Sequence, residues 1–318
     1  MKPKVFIDGE HGTTGLQIRT LLAGRNDMEI ISVPIERRKD AEARAEFLNA
    51  ADVAILCLPD DAARESVSLI TNERTRVIDA STAHRVTEGW EYGFPEMDRD
   101  QAGKIATARR VANPGCWPQG PIALLRPLVA AGLLPNDYPV TVNGISGYSG
   151  GGRSMIEDYA SKGEDAPEFL PYGLTLKHKH VPELRTYARL ARDPIMQPAV
   201  GNFAQGMITV VPLQLGTLPR VPKGAELHAA LSDHFASIKG GAVEVAPYSE
   251  VERVPEIEPE RYNGTNRMQL HVFANDSRAQ ALLIPAYDNP GKGASGPALQ
   301  NWDLIPGLNA LGPLSFLF

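Results

Sequence analysis

The sequence predicts an α/β domain built on a parallel sheet, followed by a second domain of the α+β class. The first third of the chain alternates strand-like and helix-like segments, which favours a parallel sheet with helices on both faces. Beyond residue 116 the predicted strands become longer, and several alternate apolar and polar residues as a half-exposed sheet does. A chain of 318 residues is long enough for two such domains.

The predicted elements follow from apolar periodicity and from turn residues. In the first domain the strands are 5–7, 30–35, 53–58 and 76–79, and the helices are 13–22, 41–49 and 60–70. In the second domain the strands are 140–145, 199–215, 268–274 and 281–284, and the helices are 181–190 and 226–237. A last helix is expected over 293–308. The run 53–58 is apolar throughout, as a strand buried on both faces requires.

Composition argues against several classes of function. The formal net charge is −6 and the runs of Lys and Arg are short, so we expect no nucleic-acid partner. The apolar runs are too short to span a bilayer and the first residues do not resemble a signal peptide, so we expect no membrane partner. Two cysteines are too few for a disulfide framework or a zinc site, so we expect free thiols, a cytoplasmic location and no metal.

Cys116 is the strongest candidate for chemistry. It lies in the segment VANPGCWPQGPIALL, between a Pro-Gly turn and a helical pattern. Pro118 and Pro121 suit the first turn of a helix, so we expect Cys116 near a helix N-terminus. The helix dipole there favours the nucleophilic thiolate, and N–H groups of the first turn can hold an oxyanion. The alternative is a buried, inert thiol, which is our interpretation of Cys57.

A glycine-rich turn predicts that the first domain is a Rossmann-like dinucleotide-binding domain. The turn follows the first strand and opens the first helix, and its candidate cofactor-binding residues are Gly9, Gly12, Thr13, Thr14 and Gly15. Glycines let the backbone approach a pyrophosphate, and the helix N-terminus attracts its charge. The cations Arg37, Arg38 and Lys39 follow the second predicted strand, where they suit a 2′-phosphate and favour NADP over NAD. The alternatives are a glycine turn without a ligand and a solvated charge run.

Two further turns carry groups that suit a cofactor or an anion. The first lies at the sheet edge where ligands of open α/β sheets collect, and it holds Ser81, Thr82 and Arg85. The second follows the predicted strand 140–145 and holds Ser149, Gly150 and Arg153. Its N–H groups and guanidinium suit a phosphate or a carboxylate, although a plain solvent-exposed loop is the alternative.

Two histidines and an asparagine complete the candidates. His178 and His180 face the same way if their segment is extended, and histidine is the commonest acid or base near neutral pH. Two histidines without a third ligand are weak evidence for a metal. Asn289 lies in a turn-rich run ahead of the last helix, where it can bond a cofactor amide or simply belong to a loop at the helix start.

Six motifs, taken in order, resemble the short form of the N-acetyl-γ-glutamyl-phosphate reductase family. They are IDGEHGTTGLQIR at 7–19, DASTAHR at 79–85, NPGCWP at 113–118, GYSGGGR at 147–153, KHKHVPE at 177–183 and DNPGKGASGPALQN at 288–301. The NPGC segment, the paired histidines and the order of the motifs make the resemblance specific. The wider group includes aspartate-semialdehyde dehydrogenase, and the residues 117–119 depart from the pattern of the long form.

The resemblance implies that NADPH reduces N-acetylglutamyl 5-phosphate to N-acetylglutamate 5-semialdehyde and releases inorganic phosphate, a reaction of arginine biosynthesis. It implies that Cys116 is the nucleophile and His180 the acid/base, with His178 beside it as substrate ligand or substitute. We expect a cofactor domain over 1–115, completed by a C-terminal helix over 290–318, and a catalytic, substrate and oligomerisation domain over 116–289. A homo-oligomer, dimer or tetramer, is expected.

The remaining site residues are matched to the family less directly. Ser149, Gly150 and Arg153 resemble its substrate loop, and Asn289 falls where the family contacts the nicotinamide. The further residues expected to meet the substrate or its anionic groups are Arg85, Asn113 and Lys177. Two alternatives stay open: a related reductase that acts on aspartyl phosphate or on an N-acetylated aminoadipyl phosphate, and a non-catalytic NADP-binding protein.

Overall fold

A parallel sheet lies at the centre of the first of two units into which the chain folds. The computed structural model describes residues 2–248 and 256–305. Unit 1 contains the residues up to Pro95, the stretch Asp100–Gly115 and the described residues from Ala294 onward. Unit 2 contains Glu96–Arg99 and Cys116–Gly293. The predicted fold class, an α/β domain followed by an α+β domain, is confirmed.

Unit 1 is a Rossmann-like arrangement. Its strands are β1 Lys4–Asp8, β2 Glu29–Ile31, β3 Val53–Leu56, β4 Arg76–Asp79, β5 Glu91–Tyr92 and β6 Arg110–Ala112. Its helices are α1 Thr13–Ala23, α2 Ala41–Ala50, α3 Asp60–Leu69, α4 Gln101–Thr107 and α9 Gly296–Asp303. The strand order is β2-β1-β3-β4-β6-β5, and neighbouring strands are parallel.

Apolar clusters cover both faces of this sheet. In one cluster Leu22 of α1 and Trp302 of α9 pack with Ile55 of β3. In the other cluster Leu48 of α2 packs with Ala54 of the same strand. Successive residues of a strand point to opposite faces, so β3 serves both clusters and is buried throughout. This burial explains the continuous apolar run in its sequence.

Unit 2 is built on a mixed seven-stranded sheet. Its strands are β7 Thr141–Gly147, β8 Phe169–Pro171, β9 Ile195–Gly201, β10 Met207–Gln214, β11 Val243–Val245, β12 Met268–Asn275 and β13 Gln280–Tyr287. Its helices are α5 Cys116–Ala130, α6 Gly152–Lys162, α7 Val181–Tyr187 and α8 Gly224–Ala236. The strand order is β11-β12-β13-β10-β7-β9-β8, and α5 packs against β10, β12 and β13.

The structure corrects several predicted elements. The single strand expected over 199–215 is wrong, because the chain turns at 202–206 and places β9 and β10 on opposite sides of β7. Gly206, with φ of +100°, belongs to that turn. The strand expected over 30–35 ends at Ile31, and Ile35–Arg37 forms a 3-10 turn. The loop expected after β7 continues directly into α6.

The last helix also differs from its prediction. A π-helical turn covers Gly291–Ser295, and α9 follows as a separate α-helix. Residues 306–308 of the predicted helix lie outside the described residues. Within the described part of the chain, no helix combines the length and the apolar character that crossing a bilayer requires.

Candidate active site

Cys116 is the first residue of α5, as its Pro-Gly turn predicts. Pro118 lies in the first turn, but Pro121 is the sixth residue of the helix, so its predicted place in that turn is wrong. The residues 117–128 are buried, whereas Cys116 itself is partly exposed. A helix N-terminus and partial exposure are the surroundings in which a cysteine acts as a nucleophile.

Two close contacts within unit 2 fix the backbone of Cys116. The hydroxyl of Tyr287 donates a hydrogen bond of 2.6 Å to the carbonyl oxygen of Cys116. Burial raises the pKa of Tyr287 well above its ordinary value, so the hydroxyl remains a donor. Gly293 lies so close that a Cβ atom added there would be 2.7 Å from Cβ of Cys116. Neither contact could be predicted from a local pattern, because both partners are more than 170 positions away along the chain.

Tyr172 is a second residue of this site that the sequence did not reveal. Burial raises the pKa of its hydroxyl, and the neighbouring Cys116 raises it further. Its ring lies 6.4 Å from the ring of Trp117 and 5.7 Å from that of His178. Tyr172 therefore joins the start of α5 to the histidine pair.

His178 and His180 lie together, as their spacing predicts, although the segment is a turn rather than an extended strand. Their ring centroids are 4.9 Å apart. The backbone N–H of His180 donates to Nδ1 of His178 at 3.3 Å, which leaves the proton of the neutral imidazole on Nε2. Burial lowers the pKa of His178, and the adjacent Lys179 lowers it further. His178 is consequently neutral at pH 7, while His180 is buried just ahead of α7.

Asn289 holds the predicted substrate loop in place. Its Oδ1 accepts a hydrogen bond of 2.8 Å from the N–H of Gly206. Its Nδ2 donates to Oγ of Ser149 at 3.1 Å, and a Cβ added at Gly150 would lie 3.1 Å from that nitrogen. Both ends of this buried amide are bonded within unit 2, which gives Asn289 a positioning role; its contact with a cofactor amide stays a prediction.

Two cations of unit 2, Arg153 and Lys177, are expected to bind anionic groups of the substrate, and both lie on the surface of the unit. Arg153 is exposed and its Nε donates to Glu157, one turn later on α6, at 2.6 Å. Lys177 is exposed as well. Of the predicted loop residues, the structure therefore brings Ser149 and Gly150 to Asn289 but pairs Arg153 with a carboxylate instead.

The glycine turn of unit 1 fits a dinucleotide. Gly9 has φ of +91°, and a Cβ there would lie 2.4 Å from the carbonyl oxygen of Cys57. A Cβ at Gly15 would lie 2.2 Å from the carbonyl oxygen of Gly9, so the start of α1 packs on the turn. The N-cap of α1 is Gly12, which has no side chain to occupy the first N–H groups. These groups and the helix dipole suit a pyrophosphate.

A cavity of about 330 Å³ adjoins this turn. Its polar lining includes Arg38, Lys39 and Arg44, and Gly9–Gly12 form one wall. Arg37 does not line the cavity. Its Nη2 instead donates to Oδ2 of Asp40 at 3.0 Å. Of the three cations that follow β2, Arg38 and Lys39 are therefore the two that line the cavity.

Ser81 and Thr82 are bonded to neighbouring carboxylates. Oγ of Ser81 donates to Asp79 at 2.7 Å, and Oγ1 of Thr82 donates to Asp60 at 2.5 Å. These bonds fix the turn after β4, and the cofactor contact of both hydroxyls stays a prediction. Cys57 is also partly exposed, but it packs against the apolar cluster that holds Ile55. Desolvation raises the pKa of its thiol to about 12, with Asp79 and Asp8 contributing, which agrees with an inert thiol.

Arg85 and Asn113 are likewise held inside unit 1. Arg85 is buried and donates to the carbonyl oxygens of Asn113 and Ala80, each at 3.0 Å. Nδ2 of Asn113 donates to the carbonyl oxygen of Ala294 at 2.8 Å. Both residues thus shape the segment that leads to Cys116, and the anion contact of Arg85 stays a prediction. Among the described residues, no group of three or more His, Cys, Asp or Glu side chains could hold a metal ion.

Two family models match the two halves of the chain. The semialdehyde dehydrogenase NAD binding domain matches residues 4–105, and the semialdehyde dehydrogenase dimerisation domain matches residues 116–289. A Rossmann-like unit followed by a unit that begins at a helix-capped cysteine is therefore the architecture of the semialdehyde dehydrogenase class.

Relatives of similar sequence identify the family within this class. The chain is 79% identical to the N-acetyl-gamma-glutamyl-phosphate reductase of Mesorhizobium japonicum, over 97% of this chain and 100% of the relative. It is 53% identical to the N-acetyl-gamma-glutamyl-phosphate reductase of Brucella ovis, over 96% of this chain and 100% of that relative. The chain belongs to the N-acetyl-gamma-glutamyl-phosphate reductase family, as its motifs indicated.

Solved structures share the fold at low sequence identity. Aspartate semialdehyde dehydrogenase II of Vibrio cholerae, complexed with ASA, has a TM-score of 0.70 and 14% identity, with coverage of 96% of this chain and 98% of the other. Aspartate semialdehyde dehydrogenase of Candida albicans, solved with NADP, has a TM-score of 0.64 and 14% identity, with coverage of 94% and 97%.

Proposed function

We propose that this chain reduces N-acetylglutamyl 5-phosphate to N-acetylglutamate 5-semialdehyde with NADPH and releases phosphate, through a thioester on Cys116. The observation that carries the proposal is a partly exposed cysteine at the first residue of a fifteen-residue helix, in a chain 79% identical to a named reductase. An acyl phosphate is an activated carbonyl with a good leaving group. Such a substrate suits a thiolate nucleophile.

The first step makes and breaks one bond each. The thiolate of Cys116 attacks the acyl carbon, the bond from that carbon to the phosphate oxygen breaks, and phosphate leaves. The N–H groups at the start of α5 are placed to hold the oxyanion of the tetrahedral intermediate. The bond from Tyr287 and the contact with Gly293 keep this backbone fixed while charge develops.

The histidine pair serves the second half of the reaction. When bound, the nicotinamide supplies the hydride that reduces the thioester carbon. His180 protonates the oxyanion or takes the hydroxyl proton as the thiohemiacetal collapses, and the C–S bond breaks to restore the thiolate. His178 is neutral and carries its proton on Nε2, so it can donate a hydrogen bond to substrate or replace His180.

NADP is the proposed cofactor. Gly9, Gly12 and Gly15 allow a pyrophosphate to approach the start of α1, and the cavity beside them has the volume of a small-ligand site. Arg38 and Lys39 line that cavity and suit a 2′-phosphate. Their cationic groups are the reason to prefer NADP to NAD.

A second copy of this chain is the proposed protein partner. Unit 2 matches a dimerisation domain, and one face of its sheet is only half-buried. That face includes Val210, Phe273 and the exposed Leu282. Paired sheets would remove these apolar groups from water. We also propose a cytoplasmic location, because both cysteines are free thiols.

The decisive experiment is the reverse reaction. The rate of cofactor reduction with N-acetylglutamate 5-semialdehyde should depend on phosphate, be faster with NADP than with NAD, and vanish in Cys116→Ser. Aspartate semialdehyde and N-acetylaminoadipate semialdehyde serve as parallel substrates, and a higher kcat/KM with either would reassign the acyl group. Binding of NADP without any phosphate-dependent rate would indicate a non-catalytic binding protein.

A further inference from the structure

Unit 2 contains a buried ion pair, and one of its two residues is the neighbour of Gly293, which lies close to Cys116. Nζ of Lys292 is 3.0 Å from Oε1 and 3.1 Å from Oε2 of Glu96, so the ammonium bonds both carboxylate oxygens. Lys292 is 0% exposed and Glu96 is 1% exposed. The carboxylate also accepts the N–H of Ala242 at 2.8 Å. The proposed chemistry uses neither charge.

Stability alone does not account for this pair. Moving two charges out of water is costly, and their attraction in the interior offsets that cost only partly. Burial lowers the pKa of Lys292, while Glu96 opposes this and favours the charged form. A pair of apolar side chains in the same space would commonly be as stable. What the pair provides beyond that is a fixed position for the backbone of Lys292.

The backbone of Lys292 and Gly293 contacts the first turn of α5. The carbonyl oxygen of Lys292 accepts a hydrogen bond of 2.9 Å from Nε2 of Gln119, one turn after Cys116. The next residue, Gly293, is close enough that an added Cβ would lie 2.7 Å from Cβ and 3.3 Å from Cα of Cys116. Both residues belong to the π-helical turn, a geometry that recurs at functional sites.

We propose that Glu96 and Lys292 are positioning residues, which hold the backbone of Lys292 and Gly293 against Cys116 and so keep its thiolate at the helix N-terminus. The proposal rests on the proposed function, because it takes Cys116 as the nucleophile. The two residues act on Cys116 through the contacts of Gln119 and Gly293. Loss of the pair lets the turn move away, and small displacements of a nucleophile reduce rates strongly.

The test compares a double variant with the wild-type enzyme. Glu96→Gln combined with Lys292→Met removes both charges at once, so neither ion is left buried alone. We expect kcat to fall about 10²-fold while KM changes less than about threefold. We also expect iodoacetamide to label Cys116 more slowly, with the pH of half-maximal labelling moved upward.

Two further variants keep the result decisive. Glu96→Asp preserves both charges but shortens the carboxylate arm, so it decides the question if the double variant does not fold. Gly293→Ala leaves the ion pair intact, and its added methyl group pushes directly on Cys116. It should therefore lower kcat and slow the labelling, as the double variant does. Arg25→Met is the matched control, because Arg25 forms a buried ion pair with Asp27 in unit 1. It should lower the melting temperature without changing the labelling profile.

The outcomes separate the two claims. Unchanged kcat and labelling in the double variant and in Glu96→Asp, with Cys116→Ser inactive, would overturn the positioning role alone. Full activity of Cys116→Ser would overturn the proposed nucleophile and the positioning role with it.

Discussion

The hydroxyl group of Tyr287 bonds the carbonyl oxygen of Cys116 at 2.6 Å, across 171 positions of sequence. Residue 116 is the first of α5, so this bond ties the helix start to the end of β13. A helix terminus is the part of a helix that frays most easily. The bond from a rigid strand therefore keeps Cys116, the proposed nucleophile, and the first-turn N–H groups in one arrangement.

Tyr287→Phe is expected to destabilise the fold by about 1–2 kcal/mol, because it removes a buried hydrogen bond and leaves its acceptor without that donor. Urea unfolding measures this change, and iodoacetamide labelling of Cys116 should become slower. Tyr262→Phe is a matched control, since its hydroxyl bonds Gln269 at 2.6 Å in the same unit. Equal effects of the two variants on labelling would contradict a specific role for Tyr287.

His180→Asn is expected to lower kcat by about 10²–10⁴ while Cys116 still reacts with iodoacetamide, because the variant lacks the acid/base but keeps the thiol. Single-turnover kinetics with the acyl phosphate would show whether thioester formation survives. His228→Asn is the control, as His228 bonds the carbonyl of Ala246. A large loss in His178→Asn alone would assign the acid/base role to His178.

Arg38→Ala and Lys39→Ala are each expected to raise KM for NADP about tenfold and to change KM for NAD much less, because each removes a proposed charge-assisted contact with the 2′-phosphate. Steady-state kinetics with both cofactors measures the ratio. Arg37→Ala is a control from the same turn, since Arg37 pairs with Asp40. A larger effect of Arg37→Ala would return the assignment to the sequence-based prediction.

Asp288 makes stability depend on pH. Burial raises the pKa of its carboxyl from 3.8 to about 6, so the folded state binds the proton more tightly than the unfolded state. The contribution of Asp288 to stability is therefore present at low pH and lost as the pH rises between 4 and 6. Asp288→Asn should become more stable than wild type across that range, by up to about 3 kcal/mol above pH 7. Chemical unfolding at pH 4 and pH 7.5 tests the sign, and an equal difference at both values would contradict it.

Local chemistry explains which features were predictable from the sequence. The helix start at Cys116 follows from the Pro-Gly turn before it, and the turn at Gly9 follows from its glycines. The partners of Ser81 and Arg85, a carboxylate and two carbonyl groups, could not be predicted, because they are set by how the turn after β4 folds. A hydroxyl or guanidinium in a motif shows what it can bond, not what it does bond.

Long-range partners were beyond any local pattern. Lys292 and Glu96 are 196 positions apart, and Asn289 and Ser149 are 140 apart. Each pair forms only once the sheet of unit 2 has been assembled. Pro121 shows a different limit. Its preference for the first turn of a helix is local, yet it lies at the sixth residue of α5.

The contrast between the two thiols gives a way to count working molecules. The thiol of Cys57, with a pKa of about 12, stays protonated at neutral pH, so it does not compete for an alkylating reagent there. Label incorporated per chain then reports Cys116 alone. Dividing activity by that stoichiometry yields the turnover of each competent site, which separates a slow variant from a preparation that is only partly folded.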